Sequence, residues 1–262
     1  MPPPAAERGS ARDLDSIRAA TESGSAPLES PLSGSTLPVT SALPQSPPPR
    51  YSSARHGPRT RVWGVLGGIA SGKSSVARLL AGPLGLVLDA DAMVAQLYED
   101  PGLCDRIAQA LGPSILNAKG LIDRPALALS VFSNPAARQL VESWIHPLVR
   151  QKLRSGLEAA RAAGVPRVVL DVPLLLENES EHLLPAECET LIFVDAPLEQ
   201  RDARAVVSRG WKSGEVARRE SLQLPLESKR ARAQYVLRNN GDPAQLTSAV
   251  ASLLQELDPP QR

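Results

Sequence analysis

The sequence predicts an α/β fold, a mainly parallel five-stranded sheet layered between helices, with a helical insertion and a basic lid. Two observations predict it. From Arg61 onward, short apolar runs rich in β-branched residues alternate with longer stretches of helical periodicity, the pattern of successive βα units. The first such run opens directly into a glycine-rich turn, Gly67-Gly68-Ile69-Ala70-Ser71-Gly72-Lys73-Ser74, followed by an amphipathic stretch.

Composition sets the limits of that unit within the 262 residues. Residues 1–60 hold 11 of the 25 prolines and 11 serines but only one aromatic residue, Tyr51. Such a stretch lacks the apolar mass to offset its ordering entropy, so it is expected to be a disordered extension, with the folded domain over 61–262. Net charge is +1, and beyond residue 60 the 23 basic side chains equal the 23 acidic ones, which argues against nucleic acid as a partner. A local excess lies between residues 201 and 232, where nine Lys/Arg face four acids; by itself it reads equally well as a solvated helical face. Cys104 and Cys188 stand far apart with no CxxC or neighbouring histidine, so neither a disulfide framework nor a zinc site is expected. The absence of an apolar run of about 18 residues and of a secretory leader points to a soluble protein, without a membrane partner, in the cytoplasm.

Strands are expected at Val62–Leu66, Leu86–Leu88, Arg167–Val172, Leu191–Val194 and Tyr235–Leu237. Helices are expected at Lys73–Leu80 and Ala92–Tyr98, then across an all-helical insertion at about 102–162. There Pro125 and Pro135 suit helix starts after Asp123 and Asn134, while Pro147 interrupts the pattern, so several short helices are expected rather than one long one. Pro197, the stretch Ser213 to Glu215, and Pro243 mark later starts. In open α/β sheets ligands sit beyond the carboxyl ends of the strands, which is where the site is sought.

The turn satisfies G-x-x-x-x-G-K-[ST] between a strand and a helix, the context a P-loop requires. Glycines let the backbone wrap an oxyanion, the amides of Gly72, Lys73 and Ser74 point inward, and the helix adds its positive end. Lys73 then reaches the β and γ phosphates of a nucleotide, and Ser74 can ligate Mg²⁺. The second strand ends in Asp89-Ala90-Asp91. Two carboxylates near the phosphates are what a phosphoryl acceptor needs to orient its hydroxyl and accept its proton, and on an extended chain both share one face. Alternatively, Asp91 is the N-cap of the helix that follows.

Together these residues resemble the opening of the dephospho-CoA kinases, Gly-Gly-Ile-x-Ser-Gly-Lys-Ser followed by Asp-Ala-Asp. The later segments agree in order: Gly120 to Arg124 with Leu127 and Phe132, the pair His146-Pro147, Asp171-Val172-Pro173-Leu174-Leu175-Leu176-Glu177, Gln200-Arg201 with Arg204 and Arg209, then Gln223, Lys229 and Asn240-Gly241. The resemblance spans nearly all of residues 62–256. One departure is Ala70, where the family usually has glycine; a methyl group there requires φ to stay negative.

The resemblance implies transfer of the ATP γ-phosphate, with Mg²⁺, to the ribose 3′-hydroxyl of dephospho-CoA, the last step of coenzyme A synthesis. Asp91 is then the base or orienting group, with Asp89 beside it, and Lys73 and Arg204 complete the catalytic set. Gly68, Ile69, Ala70, Ser71, Gly72, Ser74, Ser75, Arg201, Arg209 and Asn240 are implied to bind ATP. Arg124, His146, Pro173, Leu174 and Glu177 are implied to bind the acceptor, with Ser74 and, through water, Asp171 at the metal. Arg201, Arg204 and Arg209 would clamp phosphate oxygens as a lid over about 201–220 closes. Trp144 and Trp211 are expected to pack rather than stack on a ligand. A monomer or weak homo-oligomer is expected. A nucleoside or nucleotide kinase would share Lys73, Ser74 and the lid arginines, and a nucleotide-dependent binding module would share the loop but not need the paired acids.

Overall fold

The computed structural model describes residues 59–132 and 134–258. Of the expected extension only Arg59 and Thr60 fall within that range, and residues 1–58 lie outside the described residues.

Five strands, β1 (Arg61–Gly67), β2 (Leu86–Asp89), β3 (Arg167–Asp171), β4 (Thr190–Asp195) and β5 (Tyr235–Arg238), form one sheet in the order β2-β3-β1-β4-β5. Every pairing is parallel. Both faces of β1 are buried, as a continuous apolar run in a parallel sheet requires. Trp63 and Val65 face one helical layer, made by α1 (Lys73–Ala81) and, at the far end of the chain, α11 (Pro243–Leu257), whose Leu246, Val250 and Leu253 join the same core. Val62 and Leu66 face the opposite layer.

That second layer is the insertion between β2 and β3: α2 (Ala90–Leu97), α3 (Pro101–Leu111), α4 (Arg124–Phe132) and α5 (Pro135–Ala162). Its starts follow the sequence, since Asp123 Oδ1 accepts from the Ala126 amide and Asn134 Oδ1 from the Ala137 amide, both at 3.0 Å. It is not wholly helical, because Leu116 and Ile122 form an antiparallel bridge. Nor is it broken at Pro147: α5 runs 28 residues straight through that proline. An interior proline costs about 3 kcal/mol. Val141, Ile145, Val149, Leu153 and Leu157, one every four residues, are all buried along the same helix, and at about 1.5–3 kcal/mol each their burial outweighs it.

Two four-residue helices, α6 (Glu179–His182) and α7 (Leu184–Glu187), separate β3 from β4. After β4 come α8 (Leu198–Arg209), α9 (Glu215–Glu220) and α10 (Leu226–Arg232). Among the described residues no helix is long and apolar enough to cross a membrane.

Candidate active site

The carboxyl ends of β1, β2 and β3 place three polar features side by side. Leaving β1, the chain passes through positive φ at Gly67 (146°), Ala70 (57°) and Gly72 (94°) before α1 begins at Lys73. Such a sequence of left-handed residues curls the amides inward to make an anion cradle. The expectation of negative φ at Ala70 is overturned: the loop holds alanine in the left-handed region, where its Cβ crowds the following carbonyl at about 1–2 kcal/mol. Its methyl packs on the small cluster of Ile69, Ala205 and Val216, which offsets part of that strain.

The loop is braced from behind. Arg201, only 4 % exposed, donates from Nε to the Ala196 carbonyl (2.9 Å) and is ion-paired to Glu220, whose Oε1 also accepts from the Ile69 amide at 2.6 Å. A Cβ on Gly68 would collide with both side chains. From just past β5, Asn239 Nδ2 donates to the Ser71 carbonyl (2.7 Å), and a Cβ on Gly72 would meet that amide. In front, Lys73 Nζ rests on the carbonyls of Gly68 (2.8 Å) and Gly67 (3.2 Å).

Asp89 and Asp171 are register partners at the ends of β2 and β3. Asp171 is 5 % exposed and hydrogen-bonded to Ser74. Burial pushes its pKa above the usual carboxylate range, against the lowering pull of Ser74 and Lys73, and Asp89 adds to the rise. A buried carboxylate and a hydroxyl, both hard oxygen donors next to a phosphate cradle, fit a Mg²⁺ ion that keeps most of its waters. The two acids of the Asp-Ala-Asp segment do not share an extended face as expected. Asp89 is the N-cap of α2, accepting from the Ala92 amide at 3.0 Å, and Asp91 stands in the first helical turn. The capping role falls to Asp89, which leaves Asp91 to face the cavity.

A cavity of about 940 Å³ opens over the loop. It collects Ala70, Ser71, Gly72, Lys73, Ser74 and Ser75 with Asp91, Asp171, Pro173, Arg204 and Arg209. Arg204 also donates to the Asn239 carbonyl at 2.9 Å. Trp211 packs between the guanidinium groups of Arg209 (4.7 Å) and Arg219 (4.0 Å), while Trp144 lies under Arg106 (4.2 Å). A smaller cavity of about 100 Å³ lies between α2, α5 and the segment after β3, lined by His146, Pro173, Leu174 and again Asp91.

Other expected residues stand outside both cavities. Gly68 and Ile69 belong to the loop but line neither cavity, and Arg201 braces the loop from behind. Asn240 is exposed, and its carbonyl accepts from Gln200. Arg124 sits over the Tyr98 ring at 5.9 Å, and Glu177 is ion-paired at 2.5 Å with the buried Lys229. Several lining residues carried no motif: Asn239, Arg78, and Pro243, Leu246 and Thr247 on α11. Asn239 was findable, being the first residue past the carboxyl end of β5, whereas the α11 residues depend on a helix docking from the far end of the chain.

A parallel sheet with a braced phosphate cradle, a lysine across it and acids at the neighbouring strand ends defines a P-loop kinase. The sequence profile of the dephospho-CoA kinases matches residues 61–245, and the chain belongs to that family. Named relatives include the dephospho-CoA kinases of Corynebacterium diphtheriae, 38% identical over 183 residues (69% of this chain, 89% of that protein), and Thermus thermophilus, 39% over 196 residues (75% and 91%). The crystal structure of a Thermus thermophilus protein superposes with a TM-score of 0.60 at 36% identity, covering 76% of this chain and 98% of that one. Dephospho-CoA kinase from Campylobacter jejuni shares the fold, with a TM-score of 0.56 at 22% identity over 75% of this chain and 96% of that one.

Proposed function

We propose that this chain transfers the γ-phosphate of ATP to the 3′-hydroxyl of the dephospho-CoA ribose, giving coenzyme A and ADP. One observation carries the proposal: Asp91 is a carboxylate shared by the large cavity over the phosphate loop and the small cavity beside it. A group in that position touches both a terminal phosphate and a hydroxyl brought in from the second side. A sugar hydroxyl is a weak acid, so Asp91 acts mainly by aiming its oxygen in line with phosphorus and accepting its proton as the bond forms.

The loop amides and Lys73 hold the triphosphate, and Arg204 and Arg209, which line the same cavity, offer guanidinium forks to it. Ser74 and, through water, Asp171 would hold Mg²⁺, which would supply positive charge to offset that of the phosphates. His146, Pro173 and Leu174 contact the acceptor. Arg124 and Glu177 act at one remove, by supporting Tyr98 and Lys229. Asn239 takes the place of Asn240 beside the nucleotide.

Location in the cytoplasm agrees with two free cysteines that behave as packing residues, Cys104 buried and Cys188 with its thiol pushed up to about 12 by burial. A catalytic unit beginning near Arg59 leaves residues 1–58 dispensable for the chemistry, and nothing in the transfer requires a second copy of the chain. The test is a phosphorylation assay offering dephospho-CoA beside nucleosides and nucleoside monophosphates, the product identified by mass spectrometry. Preference for dephospho-CoA is expected; preference for the others would overturn the proposal.

A further inference from the structure

The small cavity beside Asp91 has a polar group in its wall that the transfer chemistry does not use. His182, at the end of α6, is 6 % exposed and lines this cavity. Its Nδ1 accepts a hydrogen bond from the Leu184 amide at 3.1 Å, while its Nε2 is buried with no hydrogen-bond partner among the described residues. A buried polar group left unmatched costs about 1–3 kcal/mol, so it needs an explanation.

The tautomer follows from the geometry. A ring nitrogen that accepts from an amide carries no proton, so in the neutral ring the proton is on Nε2. Burial, helped by Arg150 and Arg154, lowers the pKa against the opposing influence of Glu181 and Glu179, which keeps the ring neutral near pH 7. His182 therefore presents a fixed N–H donor.

The surroundings hold it in place at some cost. Between His182 and Leu184 the chain puts Leu183 at φ 57°, ψ 15°, a left-handed conformation that a leucine rarely adopts. That twist turns the Leu184 amide back onto the imidazole. From α5, Arg154 donates to the His182 carbonyl (3.1 Å) and Arg150 is ion-paired to Glu181 (2.7 Å), pinning α6 against the long helix. Strain and bracing at a single side chain mark a site that needs that side chain in one orientation.

We propose that His182 positions the phosphoryl acceptor, its Nε2–H donating to a ring nitrogen of the acceptor's purine. The inference rests on the proposed reaction. With the ribose hydroxyl at Asp91, the base on the same sugar reaches no farther than the cavity that shares Asp91. That cavity offers a flat heterocycle aliphatic walls from Val94, Val149 and Leu153. The N1, N3 and N7 nitrogens of the acceptor's adenine accept and do not donate, which matches a lone N–H. Saturating that donor only when the acceptor is bound gives selectivity, because a ligand lacking the nitrogen leaves it unmatched.

Two substitutions separate this role from a structural one. In H182N the side-chain oxygen replaces Nδ1 and keeps the Leu184 bond, but nothing replaces Nε2–H. In H182Q the amide nitrogen replaces Nε2 and the Leu184 bond is lost. H182N is expected to unfold near the wild-type temperature, with the acceptor KM raised about tenfold or more while kcat and the ATP KM stay close to wild type. H182Q is expected to unfold at lower temperature yet keep an acceptor KM within about threefold of wild type. With the wild-type enzyme, one of the 1-, 3- and 7-deaza purine analogues of the acceptor should reproduce the H182N loss. An unchanged acceptor KM in H182N overturns the role, and deaza analogues that all match the parent overturn the purine assignment. Absence of wild-type turnover on dephospho-CoA would instead overturn the reaction itself.

Discussion

Gly72→Ala tests the cradle at its tightest point. At φ 94° an alanine pays about 1–2 kcal/mol for left-handed backbone. Its Cβ also collides with Asn239 Nδ2, which donates at 2.7 Å to the buried Ser71 carbonyl. Displacing that amide forfeits the bond and strands buried polar groups, at about 1–3 kcal/mol. Less unfolded-chain entropy returns about 0.4–1 kcal/mol, leaving a net loss of about 1–4.5 kcal/mol. For a folded unit of about 200 residues that is a fall in melting temperature of about 2–18 °C. Asn239→Ala alone should cost about 1–3 kcal/mol, but in the double variant the same hydrogen bond is lost only once, so the two effects should fall short of additive by about 1–3 kcal/mol. Urea unfolding of the three nucleotide-free variants measures this. Strict additivity would refute the contact between Asn239 and the loop.

Three further outcomes are expected. Ala70→Gly should raise stability by about 0.5 kcal/mol while Ala70→Val lowers it by more than 1 kcal/mol, because a β-branched side chain tolerates left-handed φ worst; the order Gly, Ala, Val in thermal unfolding checks it. Glu220→Leu strands the buried Arg201 guanidinium and should cost about 3–5 kcal/mol, most of it recovered by adding Arg201→Met, as chemical denaturation would reveal. Glu215, bonded by Arg218 and Arg219 on the same helix, has its pKa held down to about 2, so its contribution to keeping α9 helical is complete above pH 4.5 and disappears as pH falls through about 2. Protection factors for hydrogen exchange in α9, corrected for the intrinsic pH dependence of exchange, should fall across that window, and protection that does not change would count against the pairing.

What was legible in the sequence is what short-range chemistry dictates. All five strands were, because each is a brief apolar run with turn residues on both sides, and so was the loop, whose glycines and lysine are adjacent in the chain. Capping residues marked the starts of α4 and α5. Pro147 misled because its local cost is visible while the buried stripe that outweighs it becomes a stripe only once α5 lies on the core. Ala70 misled for a related reason: the strain is paid by tertiary packing on Ile69, Ala205 and Val216. The i, i+3 spacing of Arg201 and Arg204 gives them one face of α8 but does not reveal that Glu220, nineteen residues on, draws Arg201 behind the loop while Arg204 stays at the cavity. His182 had no signal at all, since its partner is a backbone amide two residues away across a left-handed leucine.

The most direct measurement is steady-state kinetics of Asp91→Asn with ATP and dephospho-CoA, alongside equilibrium binding of ATP. The substitution keeps shape and hydrogen-bonding capacity but removes the negative charge and the proton acceptor. Transfer should fall by about a hundredfold or more while ATP binds within about twofold of wild type. Turnover close to wild type would contradict the assignment of the shared carboxylate, and with it the geometry proposed for transfer.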